Sequence, residues 1–116
     1  MSKEFIYFIK NGTESIPVDV RTVFNISMDG GSPVFCFLDK PKQRCSKSLN
    51  AIADDLHQWD FFMLVHKSHI ANLHKVNTFN KKKGAKMDNE KWLAIARDKY
   101  DCAMERKKNL KPIPAV

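Results

Sequence analysis

The sequence predicts a mainly β fold, with one short helix near residues 48–58 and a second helix near the C-terminus. Short apolar segments recur along the chain with turn residues between them, which is typical of strands. The stretch "DGGS" at residues 29–32 joins two such segments and is a strong hairpin pattern. With 116 residues, 43% of them hydrophobic, the chain is long enough for one domain with one modest core.

The first third of the chain consists of strand candidates. "EFIYFI" is followed by "KNGTES", whose Asn-Gly pair suits the positive φ angles of a tight turn. "IPVDV" places Ile16, Val18 and Val20 on one face of a second strand. "TVFNISM" and "PVFCFL" flank the predicted hairpin, and Pro33 is expected at the very start of its strand because it has no N–H group.

A change of composition marks the first helix. "KPKQRCSK" is predicted to be a basic loop, and "SLNAIADDLHQW" follows it with Ser48 as the N-cap. Apolar residues occur there at positions i, i+3, i+4 and i+7, the spacing of one helix face. These residues are Leu49, Ile52, Ala53 and Leu56.

The second half of the chain contains further strand candidates with turns between them. "DFFMLVHK" and "KVNTFN" are strand candidates, "SHIANL" is too short and polar to assign, and "KKKGAK" is predicted to be a turn. "KWLAIAR" is the last strand candidate, although its alanines suit a helix equally well, and a strand there requires Trp92 and Ile95 to be packed. "DKYDCAMERKKN" is predicted to be a helix because its acids precede its bases. The prolines of the tail predict a domain over residues 1–108 and a flexible segment over 109–116.

The charge balance favours a polyanionic partner. Lys and Arg number 20 against 13 Asp and Glu, giving a net charge of +7 and a pI near 9.4. Nucleic acid is therefore the first partner to test, and simple solubility is the alternative explanation. The three cysteines lack C-x-x-C spacing, which fits reduced thiols. Because no signal peptide or membrane-length apolar stretch is visible, we expect a cytoplasmic protein without a membrane partner.

Catalytic and metal sites receive little support from the residues. His66, His69 and His74 have a spacing that matches none of the usual zinc patterns. A cysteine and a histidine are available as a nucleophile pair, but nothing in the sequence supplies an orienting third group or an oxyanion hole. No glycine-rich phosphate loop is present. We therefore expect neither an enzyme nor a metal or cofactor site.

Basic residues on predicted loops are the remaining functional signal. Loops on a rigid β scaffold commonly carry recognition residues. Each basic cluster alone is more often a solvated surface, but together with the net charge they favour a surface for nucleic acid. These residues are Lys40, Lys42, Arg44, Lys47, Lys67, Lys81, Lys82, Lys83 and Arg97.

One stretch resembles a known family. "FFMLVHKSHIANLHKVNTF" resembles the central signature of the LytTR DNA-binding domain, in which a strand ends in His, a basic residue and Ser. An apolar turn, Asn, Leu and a strand containing Ile or Val follow in that signature. The strand-rich start, the short helix and a final strand ending in Arg97 also agree, so the resemblance covers about residues 5–105. The matching residues are His66, Lys67, Ser68, Ile70, Asn72, Leu73 and Val76.

The resemblance implies an elongated fold of packed antiparallel sheets that binds duplex DNA through inter-strand loops. Such a domain would act as a bacterial transcriptional regulator, with loops entering successive major grooves. By position, Lys67 and Arg97 would contact bases, while Ser68 and neighbouring loop amides would hold phosphate. His66 and Asn72 are better interpreted as residues that tie the turn together by hydrogen bonds.

Two departures from the family pattern affect the expected site. Ala96 replaces the serine that often precedes the last arginine, and the hairpin at 29–32 offers Ser32 but no base. The sequence shows no receiver domain, so any signal would come from elsewhere, and autonomous DNA binding regulated by abundance or by a partner protein is a hypothesis. We expect duplex DNA with repeated sites as partner, with a homodimer on DNA as a further hypothesis. The alternative is a protein-interaction module of the same fold that has lost specific DNA binding. The predicted DNA-binding residues are Lys67, Ser68, Arg97, Ser32, Lys40, Lys42, Arg44 and Lys81.

Overall fold

The computed structural model describes residues 3–116, and ten strands and two α-helices lie within that range. This part of the chain measures 40 × 33 × 24 Å along its principal axes. In chain order the elements are β1 (Ile6–Asn11), β2 (Glu14–Asp19), β3 (Val23–Asp29), β4 (Ser32–Phe37), β5 (Gln43–Arg44), α1 (Leu49–Leu56), β6 (Phe62–His66), β7 (His69–Asn72), β8 (Val76–Asn80), β9 (Gly84–Met87), β10 (Trp92–Leu93) and α2 (Tyr100–Lys108).

A five-stranded antiparallel sheet forms the central layer, with the strand order β5-β4-β3-β7-β6. The hairpin at 29–32 joins β3 to β4, and a tight turn joins β6 to β7. The other strands form a β1-β2 pair and a three-stranded sheet of order β10-β9-β8. The predicted mainly β fold of antiparallel sheets, with one short central helix and a C-terminal helix, is therefore confirmed.

The central sheet separates two apolar cores. One core contains Ile26, Phe35 and Ile70 of the sheet together with buried residues of α1, β1 and β2. The other contains sheet residues such as Met63 and Val65, which pack with residues of β8, β9, β10 and α2. The expectation of one modest core is wrong, because the central sheet carries apolar side chains on both faces and buries each of them.

Both helices begin and end close to where the sequence predicts. The Ser48 side chain accepts a hydrogen bond from the backbone N of Ala51 at 3.2 Å, which caps α1. Leu49, Ile52 and Leu56 are buried along one face of this helix. In α2 an acid occupies the first turn and three bases occupy the last. Among the described residues, no helix combines the length and apolarity needed to cross a membrane.

Four segments differ from the sequence-based expectation. The turn predicted at 81–86 ends at Lys83, and β9 begins at Gly84. The unassigned stretch "SHIANL" contains β7, and the predicted basic loop contains the short strand β5. The last strand contains only two residues. Trp92 is not packed as expected: because neighbouring strand residues face opposite ways, burial of Leu93 leaves Trp92 39% exposed. Ile95, beyond the strand, is half-buried against the second core.

The C-terminal segment contacts the body of the domain at several points. Leu110 and Ile113 pack against the first core. The buried Arg21 guanidinium donates hydrogen bonds through Nη1 to the carbonyl oxygens of Pro114 at 3.0 Å and Ala115 at 3.3 Å. Arg21 also forms an ion pair with Asp19 at 2.6 Å. The α2 helix ends at Lys108, and the division into a domain over 1–108 and a flexible segment over 109–116 stays a prediction.

Candidate nucleic-acid interface

The turn between β6 and β7 presents Lys67 at one end of the central sheet. His66 and His69 form the last cross-strand pair before the turn, and their rings lie 5.1 Å apart. The backbone N–H of Ser68 donates to Nδ1 of His66 at 3.1 Å, which closes the turn. Lys67 is exposed, whereas Ser68 is half-buried. The expectation that His66 ties this turn together is confirmed.

A chain of polar side chains supports the turn from the neighbouring strand β3. Asn25 donates through Nδ2 to the hydroxyl of Ser27 at 2.7 Å, and this hydroxyl lies 2.7 Å from Nδ1 of His69. With its oxygen accepting from Asn25, the Ser27 hydroxyl is placed to donate to His69, which fits a neutral ring protonated on Nε2. Burial lowers the pKa of His69, and the nearby His66 lowers it further. The turn is thus attached to β3 through the side chain of His69.

Two further loops meet the β6-β7 turn at this end of the sheet. The backbone N–H of Met28, just before the 29–32 hairpin, donates to the carbonyl oxygen of Ser68 at 3.0 Å. On the other side, the N–H of Ala96 donates to the carbonyl oxygen of Val65 at 2.7 Å. Arg97 is the next residue and is exposed. We call the surface formed by residues 29–32, 67–68 and 97 the loop end.

Arg44 holds the hairpin of the loop end in place. Its Nη1 donates to the carbonyl oxygen of Asp29 at 2.6 Å and to the hydroxyl of Ser32 at 2.8 Å. Its Nη2 lies 4.0 Å from the Asp29 carboxylate, and the Arg44 side chain remains 52% exposed. The hairpin itself supplies no base, but Arg44 from β5 adds a positive charge beside it.

The other predicted binding residues lie outside the loop end. Lys40 and Lys42 follow β4 and line a cleft that the hairpin also borders, and Lys40 Nζ lies 5.0 Å from the centre of the Phe37 ring. Lys81 is exposed in the turn between β8 and β9. Five of the eight predicted residues therefore belong to the loop end or support it: Lys67, Ser68, Arg97, Ser32 and Arg44.

The three histidines do not come together. His74 packs beside Phe61, with ring centroids 5.2 Å apart, at the opposite end of β7 from His66 and His69. Burial, followed by the charge of Lys107, lowers the pKa of His74. In the part of the chain that the structure describes, no cluster of three or more potential metal ligands occurs.

Asn72 has a structural role at that same far end. Its side chain is 0% exposed, and its Nδ2 donates to the carbonyl oxygen of Val23 at 2.8 Å. Its Oδ1 accepts from the backbone N–H of His74 at 3.0 Å. The residue fixes the exit of β7 rather than the turn at 67–68, which corrects the expected position of its contacts.

Sequence reasoning missed the residues that support the loop end. The bonds of Ser27 to His69 and of Arg44 to the hairpin join residues that are far apart in the chain. A usable signal was the spacing of Asn25, Ser27 and Asp29, which places polar residues on one face of an otherwise apolar strand.

Comparisons with known proteins identify the fold. No protein-family model matches the chain, and no curated protein matches it either. A search of solved structures finds the LytTr DNA-binding domain of a Bacillus cereus protein described as a methyl-accepting/DNA response regulator. The match has 16% sequence identity and a TM-score of 0.68, and it covers 90% of this chain and 97% of that one. The chain therefore has the LytTR-type fold, as the sequence resemblance predicted.

Proposed function

We propose that the protein binds duplex DNA sequence-specifically through its inter-strand loops and acts as a bacterial transcriptional regulator. The observation that carries this proposal is the convergence of three connections at one end of the central sheet. They are the 29–32 hairpin, the β6-β7 turn with Lys67 and Ser68, and the segment after β10 with Arg97. The similar Bacillus cereus domain is described as DNA-binding, which supports the same reading. The proposed activity is binding, without a catalytic step, a metal or a cofactor.

Lys67 and Arg97 are the proposed base contacts. Both are exposed, and within residues 4–116 neither forms an ion pair with a carboxylate. A guanidinium group suits the paired acceptors O6 and N7 of guanine in the major groove. Ser68 has its amide bonded to His66, so only its hydroxyl remains as a phosphate donor.

The surrounding cations would contribute affinity rather than sequence preference. Lys40, Lys42 and Lys81 are exposed and suited to phosphate contacts, and Arg44 offers its exposed half beside Ser32. The domain measures 40 Å in its longest dimension, compared with about 34 Å for one turn of B-DNA. One domain is therefore long enough to follow one side of the duplex over about one turn.

The proposal extends to how the protein is used. Repeated sites on the duplex would be occupied by separate copies or by a homodimer, and a protein regulator would supply the signal. Such a regulator acts in the cytoplasm. The alternative function, a protein-interaction module of the same fold, is supported by large apolar side chains on the surface. They include Phe8, Leu38, Trp92 and Met104, which are 52%, 59%, 39% and 43% exposed.

Competition titrations of alanine variants test the proposed contacts. Arg97→Ala should lose roughly 1–3 kcal/mol on a preferred duplex, because a bidentate base contact is removed, and much less on random duplex. Lys67→Ala should also lose preference if the lysine contacts a base. Lys108→Ala is the matched control, since this exposed lysine ends α2. The last turn of α2 lies near the start of β6, because Arg106 donates a hydrogen bond to the carbonyl oxygen of Phe62. Phe62 is at the opposite end of this strand from Lys67.

The titrations are done at one fixed salt concentration, and each variant is compared on both duplexes. If the Arg97 and Lys67 variants both bind the preferred duplex like the parent protein, the proposed contact residues are wrong. If the parent protein itself shows no preferred duplex, the protein-interaction alternative is favoured.

A further inference from the structure

A cleft of about 440 Å³ lies between the central sheet and the three-stranded sheet. Its floor consists of Asn25 and Ser27 of β3 and Val34 and Cys36 of β4, which are paired across the two strands. One wall is the segment after β4 and the other is the turn between β9 and β10. The cleft borders the 29–32 hairpin through Asp29.

The cleft is electropositive. Lys40, Lys42 and Lys91 line it, and within residues 4–116 none of their ammonium groups lies within 4.0 Å of a carboxylate. The one acidic residue in the lining is Asp29, which faces Arg44 at 4.0 Å. Burial raises the pKa of the Cys36 thiol, whereas the charges of Lys42 and Lys91 act in the opposite direction. Lys42 and Lys91 lie in the two opposite walls of the cleft.

The rest of the lining combines apolar surface with amide groups. Phe37, Trp92 and Leu93 supply apolar and aromatic surface, and Trp92 is more exposed than its neighbour Leu93. The Asn89 side chain adds an amide at the rim. Pockets of about 300–1,000 Å³ with mostly apolar walls and a few polar groups are typical of small-molecule sites. The volume falls within this range, and the lining combines apolar and polar surface in about equal parts.

We propose that the cleft binds a small organic anion, with an apolar or aromatic body and one phosphate or carboxylate group. The body would pack between Trp92 and Val34, and the anionic group would meet Lys42 and Lys91. An inorganic anion would leave the apolar surface unused, and a neutral aromatic molecule would leave the lysines unpaired. This inference goes beyond the proposed DNA binding and does not depend on it.

The site is also joined to the loop end. Ser27 in the floor of the cleft bonds to His69 at 2.7 Å, and His69 supports the turn that carries Lys67. Met28, which also lines the cleft, bonds to Ser68 at 3.0 Å. A ligand in the cleft would therefore touch residues that hold the proposed DNA-contacting turn.

Calorimetric titration with four probes tests the proposal. 1-Naphthyl phosphate and 2-naphthoate carry the same ring system with different anionic groups, 2-naphthol carries the ring without a charge, and inorganic phosphate carries the charge without a ring. We expect at least one of the two aromatic anions to bind at least tenfold more tightly than 2-naphthol and inorganic phosphate. The stronger of the two identifies phosphate or carboxylate as the preferred group.

Paired variants locate the site. The double variant Lys42→Gln, Lys91→Gln should weaken binding of the aromatic anion at least tenfold. The double variant Lys108→Gln, Lys111→Gln removes the same charge from exposed positions outside the cleft and should leave binding unchanged. Bound ligand should also slow alkylation of Cys36 by iodoacetamide, while the exposed Cys102 serves as the internal control.

Three results would overturn the proposal. The first is the absence of binding by either aromatic anion at millimolar concentration. The second is equal weakening by both double variants, which would indicate general attraction to a basic surface. The third is a combination of two results: the Lys42→Gln, Lys91→Gln protein loses affinity for duplex DNA, and naphthyl phosphate fails to protect Cys36 from alkylation. This combination would assign these lysines to DNA binding alone.

Discussion

Replacement of Asn72 by alanine removes a buried amide that joins three segments of the fold. The side chain is fully buried, its Nδ2 donates to the carbonyl oxygen of Val23, and its Oδ1 accepts from the amide of His74. Alanine keeps the backbone of β7 but leaves the Val23 carbonyl and the His74 amide without the hydrogen bonds that the Asn72 side chain provides. The substitution therefore tests whether this amide stabilises the central sheet.

The expected loss follows from the two bonds. A buried polar group left without its partner costs roughly 1–3 kcal/mol. Val23 is a buried residue, so its carbonyl takes the full range, whereas His74 is only half-buried and its amide takes the lower end of the range. We therefore expect Asn72→Ala to lower the free energy of unfolding by about 2–4 kcal/mol, a large share of the roughly 5–15 kcal/mol typical of domains.

Urea unfolding followed by tryptophan fluorescence measures this loss. The midpoint should fall while the slope with denaturant stays constant, because the surface exposed on unfolding hardly changes. Asn50→Ala, at an exposed position of α1, is the control and should stay within about 0.5 kcal/mol of the parent. A loss below about 1 kcal/mol for Asn72→Ala would refute the reasoning.

Two further predictions concern backbone conformation and pH. Gly84 has φ +100, and a Cβ there would overlap the carbonyl oxygen of Leu93, so Gly84→Ala should cost at least about 2 kcal/mol in the same assay. Gly12→Ala, with φ +63 and open space around it, should cost only about 1 kcal/mol, and equal losses would contradict the argument. Burial lowers the pKa of His69 and His74 below 6.5 in the folded protein, so the unfolded chain binds more protons as the pH falls through 6.5. Stability should therefore be constant above about pH 6.5 and fall below it, and His69→Gln should reduce this fall; an unchanged urea midpoint at pH 5.5 would contradict the prediction.

Local patterns predicted the elements whose signals lie within a few residues. The α1 helix was found because Ser48 and the apolar spacing from Leu49 to Leu56 are both local features. Strand β9 was missed because a run of lysines precedes Gly84 and only Ala85 and Met87 alternate inward. The exposure of Trp92 depends on which face of a two-residue strand meets the second core, and the local pattern of residues does not contain that information.

The candidate site was predicted less completely than the fold. The roles of Lys67, Ser68 and Arg97 were predicted through the resemblance, because nothing local distinguishes them from other polar or basic loop residues. The role of Arg44 depends on its contact with Asp29, 15 residues earlier in the chain. That contact forms only when β5 pairs with β4, so its prediction requires the sheet register. The cleft likewise requires the packing of two sheets.

Selection of bound sequences from a random duplex pool tests the proposal of specific DNA binding most directly. The selection is run in parallel with the parent protein, with Arg97→Ala and with Lys108→Ala. We expect the parent and the Lys108 variant to enrich the same short motif, and Arg97→Ala to lose preference at a guanine within it. Failure of the parent protein to enrich any motif, with binding spread evenly over the pool, would contradict the proposal of sequence-specific DNA binding.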